Sequence, residues 1–385
     1  MDIEFFRPIS LEDFPELDVD GNSTLFSKIQ KNSLEEGFPN LADVKIAVFG
    51  VLETRGQGVE NELDLNFFRE QFYSLFSGNW KHKIADLGDI LPGETINDTY
   101  EAVKRQQQQL LKKGVIGVVL GGSQDLVYAQ YRGYDSDKML NLVNIDSRFD
   151  LGDASGEITS SSYIGKMVTE APFQLNNYAN LGYQTYYQDQ AEIDLLEKLF
   201  FEAHRLGELG GNIHTAEPIL RDADLASIDV RSIGAAHVFS AQNPPNGFTG
   251  REICALARYA GLGEKLTSFG VFHLNDLDIN QNSYMLAAQI MWYFIEGVNQ
   301  RKHETEFVLQ PQNYLTYRVP VNDEVLVFYK SKITSRWWLE SKSQKKPNNK
   351  LKPIALLPCA EQDYLDACNQ VVPERWWKAQ QKNHQ

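Results

Sequence analysis

The chain is predicted to be a three-layer α/β/α protein with a mainly parallel sheet, and three observations carry that expectation. Its strand candidates are continuous apolar runs, as strands covered on both faces would be. Long helical segments separate most of them, which is the alternation that parallel crossovers require. Several of the runs end in Gly, Ser or Asp, at the edge where open α/β sheets place their ligands.

Taken in order, the segment 1–43 is polar and acidic with two short apolar clusters, and it is expected to wrap the surface. A strand is predicted over 44–50, helical spacing over 66–73, and a second strand over 83–86, closed by the turn Leu87-Gly88-Asp89. An amphipathic helix spans 95–113, with Ala102, Val103, Leu110 and Leu111 at its apolar positions and Thr95 or Asn97 as N-cap. The β-branched run 114–120 follows and ends in Gly121-Gly122-Ser123-Gln124-Asp125, where another helix starts. Strands at 141–145 and 225–230 flank a helix expected over 191–209. A helix at 250–260, a strand at 266–272 and a long helix at 281–298 complete a main domain over 44–300, in which no internal repeat is visible.

Beyond residue 300 the texture changes. Strands are expected at 313–319 and 324–329, with Pro320 in their connection, where no ladder donor is needed. The basic stretch 341–352 is an expected exposed loop. Two identical tripeptides, Arg336-Trp337-Trp338 and Arg375-Trp376-Trp377, mark the extension 301–385. Trp and Arg dominate binding hot spots, so these six residues are candidate partner anchors. The alternative, that they pin the extension to the main domain, stays open.

Composition bounds the function. The net charge is -15 over 385 residues, which argues against nucleic acid as a general partner. That charge is uneven: residues 301–385 carry 14 Lys+Arg against 9 Asp+Glu, leaving the first 300 residues with a net charge near -20. No apolar run is long enough to span a bilayer, so membrane insertion is not expected. The start lacks a basic and then apolar leader, and Cys254, Cys359 and Cys368 match neither a disulfide framework nor a zinc pattern, so a cytoplasmic location is expected.

The chemistry concentrates at strand ends. In chain order these are Gly121-Gly122-Ser123-Gln124-Asp125, Asp146-Ser147-Arg148-Phe149-Asp150, Asp229-Val230-Arg231 and Gly247-Phe248-Thr249-Gly250-Arg251-Glu252. This series resembles the ureohydrolase superfamily of arginase, agmatinase and formimidoylglutamase over roughly residues 44–298, and within it most resembles the formimidoylglutamases. Asp278, Ser283 and Leu286-Ala287-Ala288 resemble the family's final acidic-Thr-Ala-Ala helix. The resemblance implies an arginase-like fold and a site for two Mn²⁺ ions bridged by a hydroxide that attacks a guanidinium or formimino carbon.

The ligands implied by the resemblance are two histidines and four aspartates. The histidines fall on Gln124 and Arg148, and the aspartates on Asp146, Asp150, Asp229 and Arg231. Three of the six positions therefore lack their ligand, and two carry cations that cannot deprotonate. Loss of even a supporting partner commonly costs about 10–100-fold in metal affinity. The expectation is a catalytically inactive family member that binds no metal or other cofactor and acts in binding or scaffolding. It would have a protein partner and could form homo-oligomers, as the family does. The alternative is a C–N hydrolase of a formimino or guanidino compound, which would need the two Mn²⁺ ions. In the first case, Arg148 and Arg231 are expected to neutralise Asp146, Asp150 and Asp229 by direct hydrogen bonds. His273, a lone histidine near a strand end, is expected to be structural, and Arg251-Glu252 a structural pair.

Overall fold

The computed structural model describes residues 2–15, 17, 23–58, 62–134, 139–278, 281–302, 304, 311–341 and 355–382. Its main sheet is built from β1 (Phe6–Arg7), β2 (Gln30–Lys31), β3 (Val44–Val51), β4 (Lys83–Ile90), β5 (Ile116–Gly121), β6 (Leu140–Ile145), β7 (Leu175–Tyr183), β8 (Glu202–Arg205), β9 (Leu225–Asp229) and β10 (Ser268–Phe272). The strand order is β1-β4-β3-β5-β10-β9-β6-β7-β8, with β2 also beside β4. Every pairing in it is parallel except that of β1 with β4. Helices cover both faces, and two apolar clusters, one per face, form the core.

The central strands are apolar for the expected reason: every residue of β5, β9 and β10 is buried. Helix 96–113 starts in a capping box, with Thr95 accepting from the Asp98 amide and Asp98 accepting from Thr95. Gly122 has no room for a side chain, since a Cβ there would stand 2.6 Å from the Glu53 carbonyl oxygen. The glycine pair after β5 thus serves a close backbone approach to the loop after β3.

Two expectations fail in the second half of the sheet. The helix expected over 191–209 is three elements: helix Gln190–Lys198, strand β8 and helix Leu206–Gly210. Phe200, at φ 55, breaks the helix and turns the chain into β8, which pairs with β7. Apolar residues keep helical spacing across the break, so the pattern hid it. Strand β7 itself went unseen because Asn176, Asn177 and Asn180 dilute it, and asparagine disfavours strands. Here their amides are used, donating to Asn141, Glu202 and the Arg148 carbonyl.

The N-terminal segment does more than wrap the surface. It buries Phe6, Ile9, Phe14, Leu25 and Phe26, and it lays β1 and β2 against β4, the edge of the long strands. Such cover blunts an edge that would otherwise present unpaired backbone groups.

After residue 300 a second, antiparallel sheet runs β11 (Tyr314–Val321), β12 (Glu324–Ser331), β13 (Trp337–Ser341), β14 (Ala355–Cys359) in that order. Pro320 lies inside β11 and not in the connection; β11 is an edge strand, where a missing donor is tolerated. The turn is made by Asn322-Asp323, with Asn322 at φ 51. Helices Glu361–Cys368 and Glu374–Lys382 follow. Of the basic stretch 341–352, all but Ser341 lies outside the described residues.

Candidate functional site at the carboxyl edge

Because β5, β10, β9 and β6 are neighbours, their carboxyl ends carry Gln124, His273, Asp229, Asp146 and Asp150 to one stretch of the sheet edge. All five side chains are buried. Asp146 ends β6, and its Oδ1 accepts the Arg148 backbone N–H at 2.8 Å. Asp229 ends β9, and its Oδ1 accepts the Arg231 backbone N–H at 2.8 Å and lies 2.9 Å from His273 Nδ1. Asp150 and His273 both adopt left-handed backbone, at φ 54 and φ 60. Single residues of that kind cost energy and collect at functional sites.

The three carboxyls differ in charge state. Burial lifts the Asp146 carboxyl, and the Asp229 charge lifts it further. Asp150 is raised well above the usual carboxylate range by burial and then by Asp146 and Asp229. Burial also opposes ionisation of Asp229, but His273 and Arg231 outweigh it and hold that carboxyl low. A hydrogen-bonded layer supports the site from behind. Asn144 donates to Tyr163 and accepts from Ser227, while Tyr100 and Ser123 both donate to the buried Asp125.

What the edge leaves open is as telling. By bond geometry Gln124, 1% exposed, has no hydrogen-bond partner on either amide atom, nor have Asp146 Oδ2, Asp150 Oδ2 and His273 Nε2, although the Gln124 and Asp150 side chains stand near enough to Asp146 to shift its carboxyl. Buried polar atoms are nearly always paired, so five such atoms in one place set it apart from the rest of the core.

The expected ion-pair cluster does not form. Arg148 is exposed, donates to the Tyr187 carbonyl at 3.4 Å and lies over the Tyr187 ring at 4.6 Å. Arg231 turns to Asp276, with Nε to Oδ2 at 2.5 Å, and donates to Gln57 Oε1 at 3.1 Å. Only the backbone amides of the two arginines reach Asp146 and Asp229. Those amides already hold the strand-end carboxylates as turn caps, and the guanidiniums pair elsewhere.

Gln57 and Asp276 were not singled out from the sequence, and no local pattern marks either. His273, expected to be structural, directly follows an apolar strand and pairs with Asp229 at the edge that carries the aspartates. Elsewhere, Glu252 caps its helix through Thr249 and does not pair with Arg251. Among the described residues, no group of three or more His, Cys, Asp or Glu side chains is arranged to hold a metal ion.

The tryptophan tripeptides lie far along the chain from this edge. Trp337, Trp338 and Trp376 are buried, and Trp377, 46% exposed, packs edge-on to Phe200 at 5.6 Å. Their arginines bridge the two sheets. Arg336 pairs with Glu217 at 3.1 Å, and Arg375 pairs with Glu202 at 2.7 Å and donates to the Pro358 carbonyl at 2.6 Å. From the other side, Arg221 donates to the carbonyls of Trp337 and Cys359, at 3.1 Å each, under the Trp338 ring. Five of the six candidate anchors are thereby spent within the chain.

The class of protein is the arginase family: its family model matches residues 63–296, and the chain belongs to it. Its likenesses inside the family include formimidoylglutamases. The enzyme from Ralstonia nicotianae is 26% identical over 247 residues, covering 56% of this chain and 72% of that protein. The one from Hahella chejuensis is 29% identical over 130 residues, covering 31% and 39%. Among solved structures, Trypanosoma cruzi formiminoglutamase with Mn²⁺ superposes with a TM-score of 0.62 at 18% identity, covering 72% of this chain and 99% of its own. Bacillus subtilis formimidoylglutamase gives 0.63 at 15% identity, covering 72% and 93%. These structural likenesses speak to the fold.

Proposed function

We propose that this arginase-family protein has lost the binuclear metal centre and acts by binding rather than by catalysis. The observation that carries the reading is Arg231. It stands where the family places a metal-ligating carboxylate, and its guanidinium, paired with Asp276 and Gln57, adds a fixed positive charge that still acts on the Asp229 carboxyl. A second cation, Arg148, and the neutral Gln124 replace the two histidines. A guanidinium cannot deprotonate to become a ligand, and its charge opposes a divalent ion at close range. This donor set does not fit two Mn²⁺ ions. No metal or other cofactor is needed for the proposed role, which is interaction with a protein partner or with further copies of the chain, in the cytoplasm. No helix among the described residues is long and apolar enough to cross a membrane.

The rival reading is a C–N hydrolase of a formimino or guanidino compound, and one observation favours it. Asp146, Asp150 and Asp229 remain on adjacent strand ends, with carboxylate oxygens still unpaired. The two readings part in a turnover assay. With excess Mn²⁺ and formimino-glutamate, arginine or agmatine, the first predicts no release of formamide, ammonia or urea above the rate without protein. Multiple turnovers of any one substrate would decide for the hydrolase.

A further inference from the structure

The opposite edge of the sheet holds a second polar feature, independent of the aspartate cluster. A cavity of about 540 Å³ lies between the C-terminal halves of helices Ile96–Lys113 and Leu126–Arg132, beside the start of β7. That volume is in the ordinary range for small-molecule sites, about 300–1,000 Å³. Lys104, Lys112 and Arg132 line it, with Leu111, Tyr134 and Pro172 as apolar wall. Lys104 is shared with Glu101 at 2.7 Å. Among the described residues, neither Lys112 nor Arg132 has an ion-pair partner.

Arg132 is the informative residue. Its Nη1 is buried and has no hydrogen-bond partner, while its guanidinium lies over the Tyr128 ring at 5.8 Å. Cations in the last turn of a helix complement the macrodipole, which accounts for Lys112 and Arg132 being at those positions. It does not supply an acceptor for Nη1, which stays unpaired while the carbonyls of residues 129–131 bond the Gly133 amide. Arg132 lines the cavity together with Lys112, so an anion entering from outside can supply the missing acceptor once Nη1 turns toward it.

We propose that this cavity binds a small phosphorylated metabolite, its phosphate held between Arg132 and Lys112 and its remainder against Leu111, Tyr134 and Pro172. A phosphate fits better than a single carboxylate because its several charged oxygens can accept from a guanidinium fork and an ammonium together. The setting adds selectivity. The first 300 residues carry a net charge near -20, so a cationic cavity is the exception on a surface that repels anions. The two helix C-termini point the wrong way to help, so side chains alone hold the anion, and binding falls with salt.

Isothermal titration with inorganic pyrophosphate, which carries the recognised group without the remainder, tests this directly. The expected result is one site per chain at millimolar affinity or better, weakened by added salt. Arg132→Gln is expected to reduce affinity by about tenfold or more, and Lys81→Gln, away from the cavity, to leave it unchanged. Lys112→Gln, at an exposed position, is expected to weaken binding severalfold and covers the case in which Arg132→Gln does not fold. Absence of heat at millimolar pyrophosphate would overturn the proposal, as would affinity unaltered in both variants. Malonate binding at least as well as pyrophosphate would overturn the assignment to phosphate. The cavity and the aspartate cluster occupy opposite edges, so none of these outcomes depends on whether the cluster holds metal.

Discussion

Two regions of this protein set arginines beside buried carboxylates, and they use them in opposite ways. At the seam between the sheets, Arg375 pairs with Glu202, Arg336 with Glu217, and Arg221 with two backbone carbonyls and Glu217. At the carboxyl edge of the main sheet, Arg148 and Arg231 lean away from Asp146, Asp150 and Asp229, and five buried polar atoms stay unpaired. The seam is arranged for stability. The edge forgoes stability that a few pairings would have supplied, and regions that do so are usually functional. On the proposed reading the family's chemistry is lost at that edge, yet its carboxyls have not been converted into ordinary core.

The largest expected effect tests the seam. Arg375→Ala leaves Glu202 buried beside a half-exposed histidine, and is expected to destabilise the protein by about 3–5 kcal/mol in urea unfolding. The same pair has a pH signature. Burial raises the Glu202 pKa, but Arg375 and His204 outweigh it and set it far below its ordinary value near 4.5. A folded pKa below the unfolded one means stability that is present above about pH 4.5 and lost as pH falls from there. The acid loss should shrink in Arg375→Ala; equal acid sensitivity in both proteins would show that other carboxyls carry it.

Smaller effects are expected at the edge, and of the opposite sign. Gln124→Leu removes two unpaired amide atoms from a buried site and is expected to stabilise by about 1 kcal/mol. A loss of similar size would show that the amide is paired in solution, through water or an ion. Arg148→Ala is expected to change stability by less than about 1 kcal/mol, since its guanidinium is exposed and touches only Tyr187. A cost of several kcal/mol there would restore the ion-pair cluster that the geometry removes.

Much of the edge was legible in the sequence because strand-end residues are local: Gln124, Asp146, Asp150 and Asp229 each follow an apolar run directly. What those residues touch was not legible. Arg231 finds Gln57, 174 positions away, and Asp276, 45 away, and no spacing rule reaches that far. The fold was read well where strands are purely apolar, as in β5 and β10. It failed at β7 and β8, where asparagines carry strand hydrogen bonds and a single left-handed residue, Phe200, interrupts a helical pattern. The tryptophan tripeptides illustrate a third limit. Trp and Arg suit a partner surface and an internal seam equally, and only the burial of Trp337, Trp338 and Trp376 separates the two roles.

The central claim concerns metal, and a count of metal ions per chain tests it most directly. The purified protein would be incubated with excess Mn²⁺, desalted and assayed by elemental analysis alongside an arginase-family enzyme that retains all six ligands. The account predicts no stoichiometric pair in this chain under conditions that load the control. Two tightly held Mn²⁺ per chain would contradict it and return the carboxyl edge to the family's hydrolytic chemistry.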